Sequence, residues 1–128
     1  MKVSDLEKLT GPRKRGKSIS PSIFVREHLR EIGPDYISSM WREWKELNRA
    51  LEWKPSSYNS FRSMFRWLRR LGLVIPTGLR QPSSNPWLAE RVYFALVPEK
   101  VKSDAWRTPR KEYDKLPVGI RHIHRPKR

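Results

Sequence analysis

The chain predicts an α+β fold, mainly α, in which three helices precede a two-stranded β-hairpin and basic arms flank both. Two observations lead there. Between residues 20 and 72 apolar side chains recur at three- and four-residue steps, in three segments separated by Gly and Pro signals. After Gly72 that period is lost and two short β-prone runs follow. The expected units are a flexible basic arm over residues 1–19, a folded domain over 20–97 and a basic extension over 98–128.

The first helix is punctuated at both ends. Ser20 suits the N-cap and Pro21 the first helical position. Phe24, His28, Leu29 and Ile32 make an apolar stripe, with Ile23 and Val25 at its edges. Gly33 suits the left-handed position past a helix end, and Pro34 prevents continuation. His28 reads as a histidine at the edge of the core. The second helix is expected from an Asp35 N-cap to about Leu51, its stripe being Tyr36, Ile37, Met40, Trp41, Trp44, Leu47 and Leu51. Arg42, Glu43, Lys45, Glu46 and Arg49 mix both signs on its other faces, as on a solvated surface.

The third helix is expected from about Ser57 to Leu71, capped by Ser56 or Ser57. Phe61, Met64, Phe65 and Leu68 gather on one side, and Trp67 beside them is expected in the core. Asn59, Ser63, Arg66 and Arg70 gather on the opposite side, with Arg62 and Arg69 on its flank. Leu73-Val74-Ile75, ended by Pro76, and Arg91 to Val97, ended by Pro98, are the two strands. Between them Thr77 to Glu90 reads as a long loop, a kind that is usually functional or mobile. Beyond residue 98 no period is sustained, and Pro109, Pro117 and Pro126 interrupt any helix. Trp106, Tyr113, Leu116, Val118, Ile120 and Ile123 are too many apolar groups for a solvated tail. An extended arm that docks by a few apolar anchors, on the domain or on a partner, is the expectation.

Lys and Arg number 28 against 13 Asp and Glu, a net charge of +15. The excess is spread: 6 basic against 2 acidic residues in 1–19, 12 against 7 in 20–97, and 10 against 4 in 98–128. Such a charge attracts polyanions, nucleic acid first and an anionic membrane surface second. No apolar run has the length of a membrane span, and Met1-Lys2-Val3-Ser4-Asp5 does not open a signal peptide. Neither a membrane partner nor secretion is therefore expected. The absence of cysteine excludes disulfides, thiol catalysis and Cys-ligated zinc.

From Trp53 to Ala89 there is no acidic residue, so the polar face of the third helix carries arginine without any carboxylate. Guanidinium groups so placed suit phosphate oxygens and the N7/O6 edge of guanine. In the N-terminal arm, Arg13, Lys14, Arg15 and Lys17 either lie along phosphates or stay solvated.

Three helices and a hairpin in this order resemble the winged helix-turn-helix family, over about residues 20–97. The string Arg70-Leu71-Gly72-Leu73-Val74 is similar to the step by which the family's recognition helix closes into the first wing strand. The resemblance implies a three-helix winged helix-turn-helix fold, with the third helix in the DNA major groove and the wing on the backbone or minor groove. It assigns base reading to Ser57, Asn59, Ser63 and Arg66, phosphate contacts to Arg62, Arg69 and Arg70, and the wing's charge to Arg80.

No catalytic constellation accompanies these features. No serine lies in a Gly-x-Ser-x-Gly elbow and no Gly-rich loop links a strand to a helix. His122 and His124 have no nearby Asp, Glu or Cys to complete a metal site. Neither an enzyme nor a cofactor is expected. The leading expectation is a double-stranded DNA binder, a transcriptional regulator or architectural protein, cytoplasmic at the nucleoid or nuclear. The alternative is a small basic subunit of a larger nucleoprotein machine, its tails threading among nucleic acid and partner proteins. A protein-interaction module is a third class, and the oligomeric state is left open.

Overall fold

The computed structural model describes residues 19–81 and 91–117. The described part is α+β and mainly helical: α1 Pro21–Glu31, α2 Ile37–Ala50, α3 Tyr58–Arg70, then β1 Val74–Gln81 and β2 Arg91–Leu96. Two 3-10 turns, Pro98–Lys100 and Asp104–Trp106, lead into a short α4, Pro109–Asp114.

The helix ends follow local chemistry. Ser20 accepts from Ile23 N–H at the start of α1, and Ser57 from Ser60 N–H at the start of α3. Past α3, Leu73 N–H donates to the Leu68 carbonyl at 3.0 Å and Gly72 N–H to the Arg69 carbonyl at 3.0 Å. This paired closure needs a left-handed residue, which Gly72 supplies with φ 73°. It also brings Leu68 and Leu73 together, both buried. The same closure ends α2, where Trp53 N–H reaches the Asn48 carbonyl and Glu52 N–H the Arg49 carbonyl. There the left-handed position is held by Glu52, with φ 57°, a conformation that costs an L-residue about 1–2 kcal/mol.

Asp35 does not cap α2 in the expected way. Its backbone forms an antiparallel bridge to Phe94, with N–H to the Phe94 carbonyl at 3.2 Å and carbonyl to Phe94 N–H at 2.8 Å. With its carbonyl taken by Phe94, Asp35 does not accept the first intrahelical bond, which goes from Met40 N–H to the Tyr36 carbonyl; the helix starts at Ile37 with Tyr36 as an N-cap that makes no side-chain cap bond. The Asp35 carboxylate instead accepts from Ser39 Oγ at 2.9 Å and from Tyr36 N–H at 2.8 Å, and its Oδ2 lies 2.8 Å from His28 Nε2.

The hairpin also departs from expectation. Pro76 does not end β1, which continues to Gln81 and takes in the first third of the expected loop. Proline is tolerated because among the described residues β1 is an edge strand, paired on one side only. Val74, Ile75 and Pro76 pair with Leu96, Ala95 and Phe94; after a bulge, Arg80 and Gln81 pair with Val92 and Arg91. Thr77 Oγ1 bridges the bulge, donating to the Tyr93 carbonyl and accepting from Leu79 N–H. Residues 82–90 of the loop lie outside the described residues.

The core draws on the three long helices and the hairpin. Phe24, Val25 and Leu29 of α1, Met40 and Trp44 of α2 and Phe61, Met64, Phe65 and Leu68 of α3 are buried, with Leu73, Val74 and Phe94 of the hairpin. Trp44 meets Phe61 at 5.6 Å between ring centroids, and Phe65 meets Phe94 edge-on at 4.9 Å. Ile19 and Trp106 lie outside the 20–97 span, yet both are fully buried. Ile19 N–H donates to Asn48 Oδ1, and its carbonyl accepts from Trp44 Nε1, each at 2.9 Å. Asn48 completes its bonding by donating to the Trp44 carbonyl.

The segment after β2 is thus no extended arm as far as residue 117. Its anchor, Trp106, donates from Nε1 to the Lys100 carbonyl at 2.9 Å, while its own carbonyl accepts from buried Ser22. A tight turn suits this better than an extended chain, because it satisfies the indole N–H within six residues.

Replacing Trp106 with Ala is expected to lower the free energy of urea unfolding by about 3–5 kcal/mol. A loss below about 1 kcal/mol would show that the segment beyond Pro98 is not part of the core. Glu52→Gly should raise stability by roughly 0.5–1 kcal/mol by relieving the left-handed strain, net of the entropy that glycine costs.

Candidate nucleic-acid interface

Burying Phe61, Met64, Phe65 and Leu68 fixes the rotation of α3 about its axis, and the 3.6-residue period then decides what faces outward. Asn59 and Arg66 are exposed on the outer ridge, with Ser63 and Arg70 half-buried along it. The ridge carries no carboxylate. Among the described residues, Arg62, Arg66, Arg69 and Arg70 form no ion pair, whereas Arg26, Arg30, Arg49 and Arg110 all do. Arg70 Nη1 is buried with no hydrogen-bond partner among the described residues.

The expected reading and phosphate positions separate into two groups. Asn59, Ser63, Arg66 and Arg70 stay together on the ridge. Ser57 stands at the N-terminal end of it, with its hydroxyl already accepting from Ser60 N–H and donating to Ser60 Oγ. Arg62 and Arg69, seven residues apart, turn to the flank facing α2 and the hairpin. Each is set over an aromatic ring, Arg62 over Tyr58 at 5.8 Å and Arg69 over Phe94 at 5.0 Å. The Arg69 guanidinium is held below its ordinary pKa, first by burial and second by the neighbouring Arg70.

Sequence reasoning missed a third arginine on this flank. Arg91 opens β2, and pairing with Gln81 on one side and the Asp35 bridge on the other carry it to the start of α2. Its guanidinium lies 4.9 Å over the Tyr36 ring. Arg62, Arg69 and Arg91 together line a cleft of about 280 Å3, floored by Tyr36, Tyr58 and Phe94 and reaching Ile37 and Ser38 in the first turn of α2. The signal in the sequence was an arginine at the head of a β-prone run, which says nothing about its neighbours until the register is known.

The opposite flank of α3 is partly covered. Trp67, expected in the core, is half-buried instead: it meets Tyr113 of α4 at 6.5 Å, and Arg110 lies over its ring at 5.8 Å. A groove of about 640 Å3 runs beside it, lined by Pro21, Met64, Trp67 and Pro109 together with Arg107, Arg110 and Lys111.

Arg80 lies on β1 opposite Val92, and its side chain lies outside the described residues. Arg13, Lys14, Arg15 and Lys17 of the N-terminal arm lie outside them too, as do His122 and His124. Among the described residues no three His, Asp or Glu side chains gather as metal ligands would, and no helix is long and apolar enough to cross a membrane. No protein-family model, curated protein or solved structure matches the chain.

The two groups of arginines should separate in stability measurements. Arg66→Ala and Asn59→Ala, on the exposed ridge, are expected to change the free energy of unfolding by no more than about 0.5 kcal/mol. Arg69→Ala gives up its position over Phe94 and should cost about 0.5–1 kcal/mol in the same urea titration. Equal losses from all three would mean that the ridge is packed rather than free.

Proposed function

We propose that the protein is a winged helix-turn-helix domain that binds double-stranded DNA, with α3 in the major groove and the hairpin as the wing. The observation that carries this reading is the outer ridge of α3: Asn59 and Arg66 exposed, Ser63 and Arg70 beside them, and no ion pair among the described residues to occupy either arginine. The exposed, unpaired Arg66 leaves both charge and donor fork available, the combination that guanine edges and phosphates require. The order α1, α2, α3, β1, β2 and the Gly72 closure that joins Leu68 to Leu73 support the winged-helix assignment. Asn59 and Arg66 are the readers in this account, and Arg62 and Arg69 hold phosphates. Transcriptional control or DNA architecture is the use that follows.

A second reading, a small basic subunit of a nucleoprotein machine, is favoured by the groove beside Trp67. A groove of about 640 Å3 with apolar walls and a basic rim offers a partner protein a seat beside α3.

Two measurements separate these readings. Binding to random duplex DNA, single-stranded DNA and structured RNA is compared from about 50 to 200 mM salt, the range over which phosphate-dominated affinity falls steeply. A duplex preference that survives the higher salt supports groove recognition, and equal binding that collapses with salt supports the subunit. On a selected site, Arg66→Ala should cost about 1–3 kcal/mol and relax base preference, while Arg69→Ala weakens all sequences alike and lowers the salt slope by about 1. Small, equal losses from both on every sequence would remove α3 from the role of reader.

A further inference from the structure

The cleft between α2, α3 and β2 differs from the outer ridge in being concave. Three guanidinium groups from two separate elements, Arg62 and Arg69 of α3 and Arg91 of β2, line it with no acidic residue beside them among the described residues. None of the three donates a hydrogen bond to, or pairs with, another described residue. Each instead lies over an aromatic ring, at 5.8 Å over Tyr58, 5.0 Å over Phe94 and 4.9 Å over Tyr36. A ring beneath a guanidinium occupies its face and leaves the donor edge free, so the aromatics position the arginines without using their N–H groups.

Like charges gathered in one cleft repel. An anion in the cleft removes that repulsion. The donors favour an oxyanion with several acceptor oxygens, since each arginine fork matches two. Water takes up about 30 Å3 per molecule. A cleft of about 280 Å3 therefore admits a phosphate group together with part of its ester substituent.

The geometry points to a phosphate-binding site formed by Arg62, Arg69 and Arg91. Its ligand is a tetrahedral phosphate, supplied either by the nucleic-acid backbone or as free phosphate. The backbone source rests on the proposed DNA binding; the site itself does not. With a backbone phosphate in the cleft, the junction of α2, α3 and the wing sits at one fixed point on the strand. Phosphate contacts of this kind set register while base contacts read.

The test begins with inorganic phosphate and the 15N-labelled full chain, titrated against chloride at constant ionic strength. Saturable shifts of the Ile37, Ser38 and Val92 amides are expected. Arg91→Gln, at an exposed strand end, should weaken that binding at least tenfold, whereas Arg49→Gln, at the far end of α2 and outside the cleft, should leave it unchanged. Arg91→Lys, which keeps the charge but not the fork, should fall between. Unsaturable shifts spread over the whole basic surface, or saturable binding that survives Arg91→Gln, overturn the site. A thermal melt of each variant in chloride separates loss of the site from loss of the fold.

The source is decided with duplexes carrying one neutral methylphosphonate linkage, moved along each strand. If the backbone fills the cleft, one linkage lowers wild-type affinity about tenfold and leaves Arg91→Gln indifferent. Saturable phosphate binding with no sensitive linkage sustains the site and overturns the backbone as its source. Failure to bind any duplex would sink the proposed function, while the phosphate titration still decides the cleft.

Discussion

Burial of one face of α3 is the constraint on which the remainder of the structure depends. Phe61, Met64, Phe65 and Leu68 are all buried, and each neighbouring element reaches them or their flanks. Trp44 brings in α2 through Phe61, Phe94 brings in the hairpin through Phe65, and Leu73 closes under Leu68. Tyr113 of α4 meets Trp67 on the remaining side. A close-packed interior does not let such a helix rotate. With its apolar stripe inward, Asn59 and Arg66 must face out. Turning the helix by one residue would bury a guanidinium, whose desolvation costs far more than the packing gained.

The second dependency is the position of β2. It pairs with β1 on one edge and is bridged by Asp35 on the other, so the strand ties the connection between α1 and α2 to the hairpin. The Asp35 carboxylate reinforces the bridge through Ser39 and His28, holding the start of α2 in place. Arg91 arrives over Tyr36 as a consequence, and the arginines of α3 meet a third that lies far from them in the chain. Aromatic rings keep the three from the core without neutralising them. The proposed phosphate site and the proposed reading ridge therefore share one helix but use different sides of it.

Buried polar groups frame the two ends of the described fold. Asn48 and Trp44 bind both backbone groups of Ile19 just before α1, and Ser22 and Lys100 satisfy the backbone and indole of Trp106. The bonds to Ile19 and from Ser22 are buried, where a lone partner would cost about 1–3 kcal/mol. These bonds make residues on both sides of the helix-hairpin unit part of its core.

What the sequence determined by itself is local: where helices start and stop, and which side of each is apolar. Ser20, Pro21, Ser57 and Gly72 act within three or four residues, so their roles were legible without a fold, and the ridge and flank of α3 followed from the helical period alone. The tertiary structure decided what depends on distant pairing. It made Asp35 a bridge residue instead of a cap, carried β1 through Pro76, set Trp67 half-open beneath α4 and drew Trp106 into the core. It also placed Arg91 beside Arg62 and Arg69, which no periodicity reveals. Short-range hydrogen bonds are written in neighbouring residues, whereas strand register and side-chain packing join residues whose separation along the chain carries no pattern.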